Sequence, residues 1–167
     1  MNTAPPVRAY LSLGSNLEPE RHLRAALGAL AATFGPLQVS PAYRTQARGF
    51  VGPDFLNLAV VIDTSLAAPA LRDWLHALES RLGRDRGAPR LSSHTLDADL
   101  VLYGEHLVDD GAGLRLPRDD LTAPYVLRPL VDIAPDARDP RSGLTLAALW
   151  AGHVDRDRPM PAVLLHD

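Results

Sequence analysis

Two stretches of this chain repeat apolar side chains at helical spacing, and each lies between runs with strand character. Leu23, Leu27, Leu30 and Phe34 form the first stripe, opened by Pro19 and closed by Gly35. Leu71, Trp74, Leu75, Leu78 and Leu82 form the second, opened by Pro69 and closed by Gly83 at the C-cap. Residues 8–14 alternate as a strand and end in Gly14-Ser15-Asn16, which reads as a turn. Residues 39–45 and 55–63 read as two strands of a hairpin, the second carrying the buried run Leu58-Ala59-Val60-Val61-Ile62. Residues 84–94 have no period and read as a loop, after which 95–103 return to strand. The order β-α-β-β-α-β specifies an α+β fold with the ferredoxin-like split βαβ core. A C-terminal extension follows, with a short strand at Leu107-Val108, a Pro-rich stretch, a brief helix over 144–150 and a loose tail over 156–167. The whole chain, 1–167, reads as one domain with its core in about 8–150.

Composition narrows the chemistry. All 17 basic residues are Arg, and the chain has neither Lys nor Cys. Schiff bases, a phosphate-binding P-loop Lys, thiol nucleophiles, disulfides and Cys-ligated metals are excluded. A net charge of −3 gives no reason to expect nucleic-acid or membrane-surface binding. Met1 to Pro6 lacks a basic region followed by an apolar core, and no apolar run approaches the roughly 18 residues of a spanning helix. A cytoplasmic enzyme or binding domain is the expectation. The six His residues show no metal-ligand spacing.

The densest chemical signal is Thr95-Leu96-Asp97-Ala98-Asp99-Leu100. On a strand Asp97 and Asp99 share a face roughly 6–7 Å apart, where two carboxylates repel each other and lose hydration. A divalent cation between them relieves both costs, and oxygen-only ligation suits Mg²⁺ held partly by substrate phosphates. The other reading is a wet face on an edge strand. Arg81, Arg84, Arg86 and Arg90 crowd the segment just upstream. A cationic loop ending at paired carboxylates suits nucleotide phosphates, since phosphoryl transfer is mostly positioning and charge stabilisation. Phe55 and Asn57 share a strand face, an apolar plane beside an amide that both donates and accepts, which suits a planar heterocycle. Tyr125 reads equally as an opposing ring or as core.

These residues resemble the 6-hydroxymethyl-7,8-dihydropterin pyrophosphokinase family. The likeness rests on Tyr10-Leu-Ser-Leu-Gly-Ser-Asn16, Tyr43-Arg-Thr45, Asp54-Phe-Leu-Asn57, Glu79 with Gly83-Arg84, Thr95-Leu-Asp-Ala-Asp99, Val126-Leu-Arg-Pro-Leu130 and Ile133-Ala-Pro135. It implies an ATP-dependent transferase of folate biosynthesis that moves the β,γ-pyrophosphoryl group onto a pterin hydroxymethyl group, with two Mg²⁺ and no covalent intermediate. It places Asp97 and Asp99 at the metal, and Phe55 and Tyr125 on the two faces of the pterin. Thr45 and Asn57 fall at the pterin edge, while Glu79, Arg84, Arg86 and Leu100 fall on the nucleotide side. Arg84, Arg90 and His94 join the aspartates as catalytic candidates. The implied partners are ATP and hydroxymethyldihydropterin, with the chain acting as a monomer.

The chain departs from the family pattern in Pro89-Arg90-Leu91-Ser92-Ser93-His94, where His94 takes the place of an Arg and Leu91 that of a Trp. Pro117-Arg118 replaces a Pro-His pair, one residue is missing before Tyr125, and Arg118 becomes a candidate for the phosphate contact. An imidazole carries charge only when protonated, with an unperturbed pKa of about 6.5, and lacks the guanidinium fork. A slower enzyme with acid-shifted turnover is expected. The alternative is a weak or inactive paralogue that binds pterin or nucleotide without transfer. An RNA-binding module on the same fold would show aromatic platforms on its central strands, and the 95–103 strand offers only Tyr103.

Overall fold

Alternating side chains fix the first strand, β1 (Val7–Ser15), because Ala9, Leu11 and Leu13 on one face are fully buried. In the computed structural model, which describes residues 5–89 and 92–165, β1 lies at the heart of an antiparallel sheet. Helix α1 (Pro19–Phe34) follows, then β2 (Gln38–Val39), β3 (Ala42–Thr45) and β4 (Phe55–Thr64). Helix α2 (Ala68–Arg81) leads through the loop to β5 (Asp97–Tyr103). The strand order is β5-β1-β4-β3, the ferredoxin-like arrangement, with β2 also paired to β4.

The sheet is covered on both faces. Leu23 and Leu30 of α1 and Leu71, Leu75 and Leu78 of α2 pack with Leu11, Leu13, Leu58 and Ile62 on one side. Each of these fully buried side chains stabilises the fold by roughly 1.5–3 kcal/mol. The opposite face, built by Ala59, Val101 and Leu102, is covered by α3 (Pro124–Ile133) and α4 (Leu146–Ala151) through Val126, Leu127, Leu130 and Leu146. Burial on both faces explains why 58–62 form an unbroken apolar run.

Several expectations are corrected. The predicted 39–45 strand is interrupted at Ser40-Pro41, since Pro has no N–H to give a ladder; the Ser40 hydroxyl instead accepts from Ala59 N at 2.8 Å. The chain at Gly14 and Ser15 is still strand, not turn. Residues 95 and 96 precede β5. The second helix ends at Arg81, with Leu82 at the cap and Gly83 next, at φ 90° in the left-handed region. The Pro-rich stretch holds an unpredicted helix, α3, and a short 3-10 turn over Asp119–Thr122. The strand near 107 is β6 (Val108–Asp109), paired only with β7 (Arg115–Leu116). The tail is not all loose: β8 (Ala162–Val163) adds to the edge of the sheet against Ala42 and Tyr43.

Candidate active site

The ends of β1, β3, β4 and β5 converge with the first turn of α3 around a cavity of about 160 Å³. Thr45, Phe55, Asn57, His94, Asp97, Asp99 and Tyr125, which sequence reasoning singled out from five separate segments, all line it. Ladder register explains part of this convergence, because Thr45 stands opposite Phe55 and Gly14 opposite both Asn57 and Asp97.

Asn57 is buried, and its Nδ2 donates to Thr45 Oγ1 at 2.6 Å. Its Oδ1 lies so close to β1 that a Cβ added at Gly14 would meet it at 2.8 Å, so only Gly admits the amide in this position. Phe55 is held edge-to-face by Phe50 and by His94, with ring centroids 6.4 and 6.5 Å apart. On the other side of the cavity the Arg48 guanidinium lies 5.1 Å from the Tyr125 ring centroid. The phenol of Tyr125 is held above its ordinary pKa by burial and by the neighbouring Asp120. These groups form an aromatic slot with an amide at its base.

Asp97 and Asp99 share the one wet face of β5, with side chains 42% and 21% exposed. Asp99 is pushed well above the usual carboxylate range, first by burial and then by Asp97. Each carboxylate has an arginine beside it, Arg84 at 3.6 Å from Asp97 and Arg118 at 3.5 Å from Asp99. Burial works against the charge on Arg118, but Asp99 and Asp120 outweigh it and hold the guanidinium above its usual value. Arg118 Nε also donates to Asp120 Oδ1 at 3.1 Å. Among the described residues no third His, Cys, Asp or Glu joins the pair to make a metal cluster. Two crowded oxygen donors with their remaining coordination open fit Mg²⁺ shared with a phosphate ligand.

Beyond Asp99 lies a second cavity, of about 250 Å³, lined by Leu100, Arg118, Arg72 and His76. Asp99 belongs to the walls of both cavities. Three predicted nucleotide-side residues line neither: Glu79, Arg84 and Arg86 form their own cluster behind β5. The Glu79 carboxylate, 3% exposed, accepts from Ala98 N at 2.8 Å and Arg86 Nη2 at 2.8 Å, with Arg84 Nη1 at 3.4 Å. Glu79 is therefore placed to anchor the loop arginines. The predicted Arg90 lies outside the described residues.

Sequence reasoning missed Ser12, Gln46, Arg48, Phe50 and Ser92 on the cavity wall. It also missed Asn16, which is buried and ties three segments together. Its Nδ2 donates to Pro53 O and Ser93 Oγ, each at 3.1 Å, and its Oδ1 accepts from His94 N at 2.8 Å. An Asn directly after the Gly14-Ser15 pair was the available signal.

No helix among the described residues is long and apolar enough to cross a membrane. The family model of 7,8-dihydro-6-hydroxymethylpterin-pyrophosphokinase (HPPK) matches residues 10–135. The 2-amino-4-hydroxy-6-hydroxymethyldihydropteridine pyrophosphokinase of Synechocystis sp. is 38% identical over 146 residues, covering 84% of this chain and 73% of that protein. The protein of the same name from Pseudomonas aeruginosa is 41% identical over 138 residues, covering 80% and 84%. The crystal structure of wild-type Plasmodium falciparum HPPK-DHPS matches 93% of this chain with a TM-score of 0.73 at 13% identity, a likeness of fold alone; this chain spans 46% of that chain's length. The matched span runs from the strand that carries Gly14 to beyond the helix that carries Tyr125, so the aromatic slot and both aspartates fall inside it: this chain belongs to the HPPK family.

Proposed function

We propose that this protein transfers the β,γ-pyrophosphoryl group of ATP to the hydroxymethyl group of 6-hydroxymethyl-7,8-dihydropterin, releasing AMP, a step of folate biosynthesis. The observation that carries this reading is Asp99, which lines both the aromatic, amide-based slot and the arginine-lined cavity beyond it. Family membership supplies the reaction class.

Phe55 and Tyr125 bind the faces of the pterin, while Asn57 and Thr45 bind its edge through the amide and hydroxyl that their mutual bond orients. The hydroxymethyl group then points toward Asp97 and Asp99. Leu100 and Arg118 take the nucleotide in the second cavity, with Arg84 and Arg86 reaching the phosphates from the Glu79 anchor. Asp97 and Asp99 would hold two Mg²⁺, which supply neutralisation of triphosphate charge. The pterin oxygen bonds to the β-phosphorus, the bond from that phosphorus to the α,β-bridging oxygen breaks, AMP departs with that oxygen, and the hydroxyl proton is released. No protein nucleophile is needed; the residues orient two substrates and stabilise charge. His94, bonded through its backbone to Asn16 and in edge contact with Phe55, joins Asp97 and Asp99 as a catalytic candidate on the slot wall. Arg90 is assigned to the same catalytic loop.

A second reading, binding without transfer, draws on His94 in the place of an Arg. Incubation with ATP, Mg²⁺ and hydroxymethyldihydropterin separates the two. Pterin-dependent release of AMP supports transfer; tight binding of both substrates with no AMP establishes the second reading.

A further inference from the structure

Behind the slot, and outside its lining, three side chains join β3 to α3. The Tyr43 hydroxyl donates to Asp132 Oδ2 and accepts from Arg128 Nε at 3.3 Å. Arg128 and Asp132 close the triangle at 3.4 Å, and the Arg128 guanidinium lies 5.9 Å from the ring centroids of both Tyr43 and Trp150. Among the described residues these are the only side-chain hydrogen bonds between α3 and the sheet. Burial and the bond to Asp132 hold the Tyr43 phenol above its ordinary range, and the bond to Tyr43 does the same for Arg128.

The position of this triangle matters more than its strength. Tyr43 stands opposite Asn57 in the β3–β4 ladder and two residues before Thr45, which stands opposite Phe55. Tyr125, Arg128 and Asp132 are spaced three and seven residues apart, so they share a face of α3. One wall of the slot is thus carried by β3 and β4, the other by the first turn of α3, and the triangle fixes the gap between them.

We infer that Tyr43, through Asp132 and Arg128, is a positioning residue that sets the width of the aromatic slot and so the affinity for the planar substrate. The inference rests on the reading of this slot as the pterin site. The triangle touches neither cavity, so it acts on one substrate through Tyr125 and leaves the nucleotide untouched. A misplacement of about 1 Å far from the chemistry can cost roughly a hundredfold in rate, and a smaller shift of one slot wall should cost pterin affinity about tenfold.

The test compares wild type, Tyr43→Phe, Tyr125→Ala and the double variant by calorimetric titration with 6-hydroxymethylpterin in the presence of a non-hydrolysable ATP analogue, and separately with that analogue alone. Tyr43→Phe keeps the ring and removes only the hydroxyl. The expected result is about a tenfold loss of pterin affinity, nucleotide affinity within twofold of wild type, and little further effect of Tyr43→Phe in the Tyr125→Ala background. Should Tyr43→Phe fail to fold, Asp132→Asn removes the accepting charge instead and should give the same split. Unchanged pterin affinity, equal losses for both ligands, or additivity with Tyr125→Ala would overturn the inference. Wild type that binds the nucleotide analogue but no pterin would overturn the underlying reading of the slot, and the inference with it.

Discussion

Removing the Glu79 carboxylate should destabilise the protein by about 2–4 kcal/mol, and the structure shows where that comes from. In Glu79→Ala the Ala98 N–H, which now donates to the carboxylate at 2.8 Å, is left without an acceptor in a buried strand, a cost of roughly 1–3 kcal/mol. Arg84, 16% exposed, loses its partner at 3.4 Å but keeps Leu96 O at 2.9 Å, which limits its share to about 1 kcal/mol. Arg86 is 48% exposed, so water replaces most of what it loses and it adds no more than about 0.5 kcal/mol. For a domain of this size each kcal/mol lowers the melting temperature by roughly 2–4 °C, giving about 10 °C for the Ala variant. Glu79→Gln keeps an acceptor for Ala98 N and loses only the charge, so it should cost about half as much. Thermal unfolding followed by circular dichroism at pH 7 measures both. A melting temperature for Glu79→Ala within 1–2 °C of wild type would refute the reasoning, and so would a Gln variant as unstable as the Ala variant.

Three further outcomes are expected. His94→Arg puts a permanently charged fork on the slot wall; turnover at pH 8 should rise roughly threefold to tenfold and its decline above neutrality should flatten, whereas unchanged kinetics would show that His94 has no phosphate role. Asn16→Ala cuts the ties to Pro53, Ser93 and His94, so the two loops should become more susceptible to limited proteolysis and the apparent KM for both substrates should rise, while equal cleavage rates would show that the ties do not hold the loops. Asp110 is held below the ordinary carboxylate range by the N–H groups of Ala112 and Leu114. A depressed folded value means that its stabilisation is complete above the unfolded pKa of about 3.9 and is lost as pH falls through the folded value. Urea midpoints measured from pH 6 to pH 3 should therefore fall less steeply for Asp110→Asn than for wild type, and parallel curves would remove Asp110 from the acid response.

What the sequence revealed and what it hid follow from how local each signal is. The stripes of α1 and α2, the pairing of Asp97 with Asp99 and the shared face of Phe55 and Asn57 are set by periods of 3.6 and 2, readable within a few residues. Helix α3 was hidden because Pro124 and Pro129 look like breakers. Pro124 sits in the first turn, where no N–H is needed, and Val126, Leu127 and Leu130 gain enough burial against the sheet to carry Pro129 inside the helix. The bonds of Asn16 span 37 to 78 residues of sequence, so its place after Gly14-Ser15 marks the residue but not its partners. Arg118 was a candidate for the phosphate contact, but its pairing with Asp99 depends on how the segment after β7 returns to β5. Glu79 was placed on the nucleotide side only by the family resemblance, and its neighbours show it bonded to the loop arginines and outside the lining of both cavities.

The most direct test of the central claim follows the phosphorus atoms. With ATP labelled at the β-position, Mg²⁺ and hydroxymethyldihydropterin, the label should appear in a pterin pyrophosphate, and the nucleotide product should be unlabelled AMP. Label retained in ADP would mean single phosphoryl transfer, and label left entirely in ATP while both substrates are bound would mean none; either result would contradict attack of the pterin oxygen on the β-phosphorus in the slot between Phe55 and Tyr125.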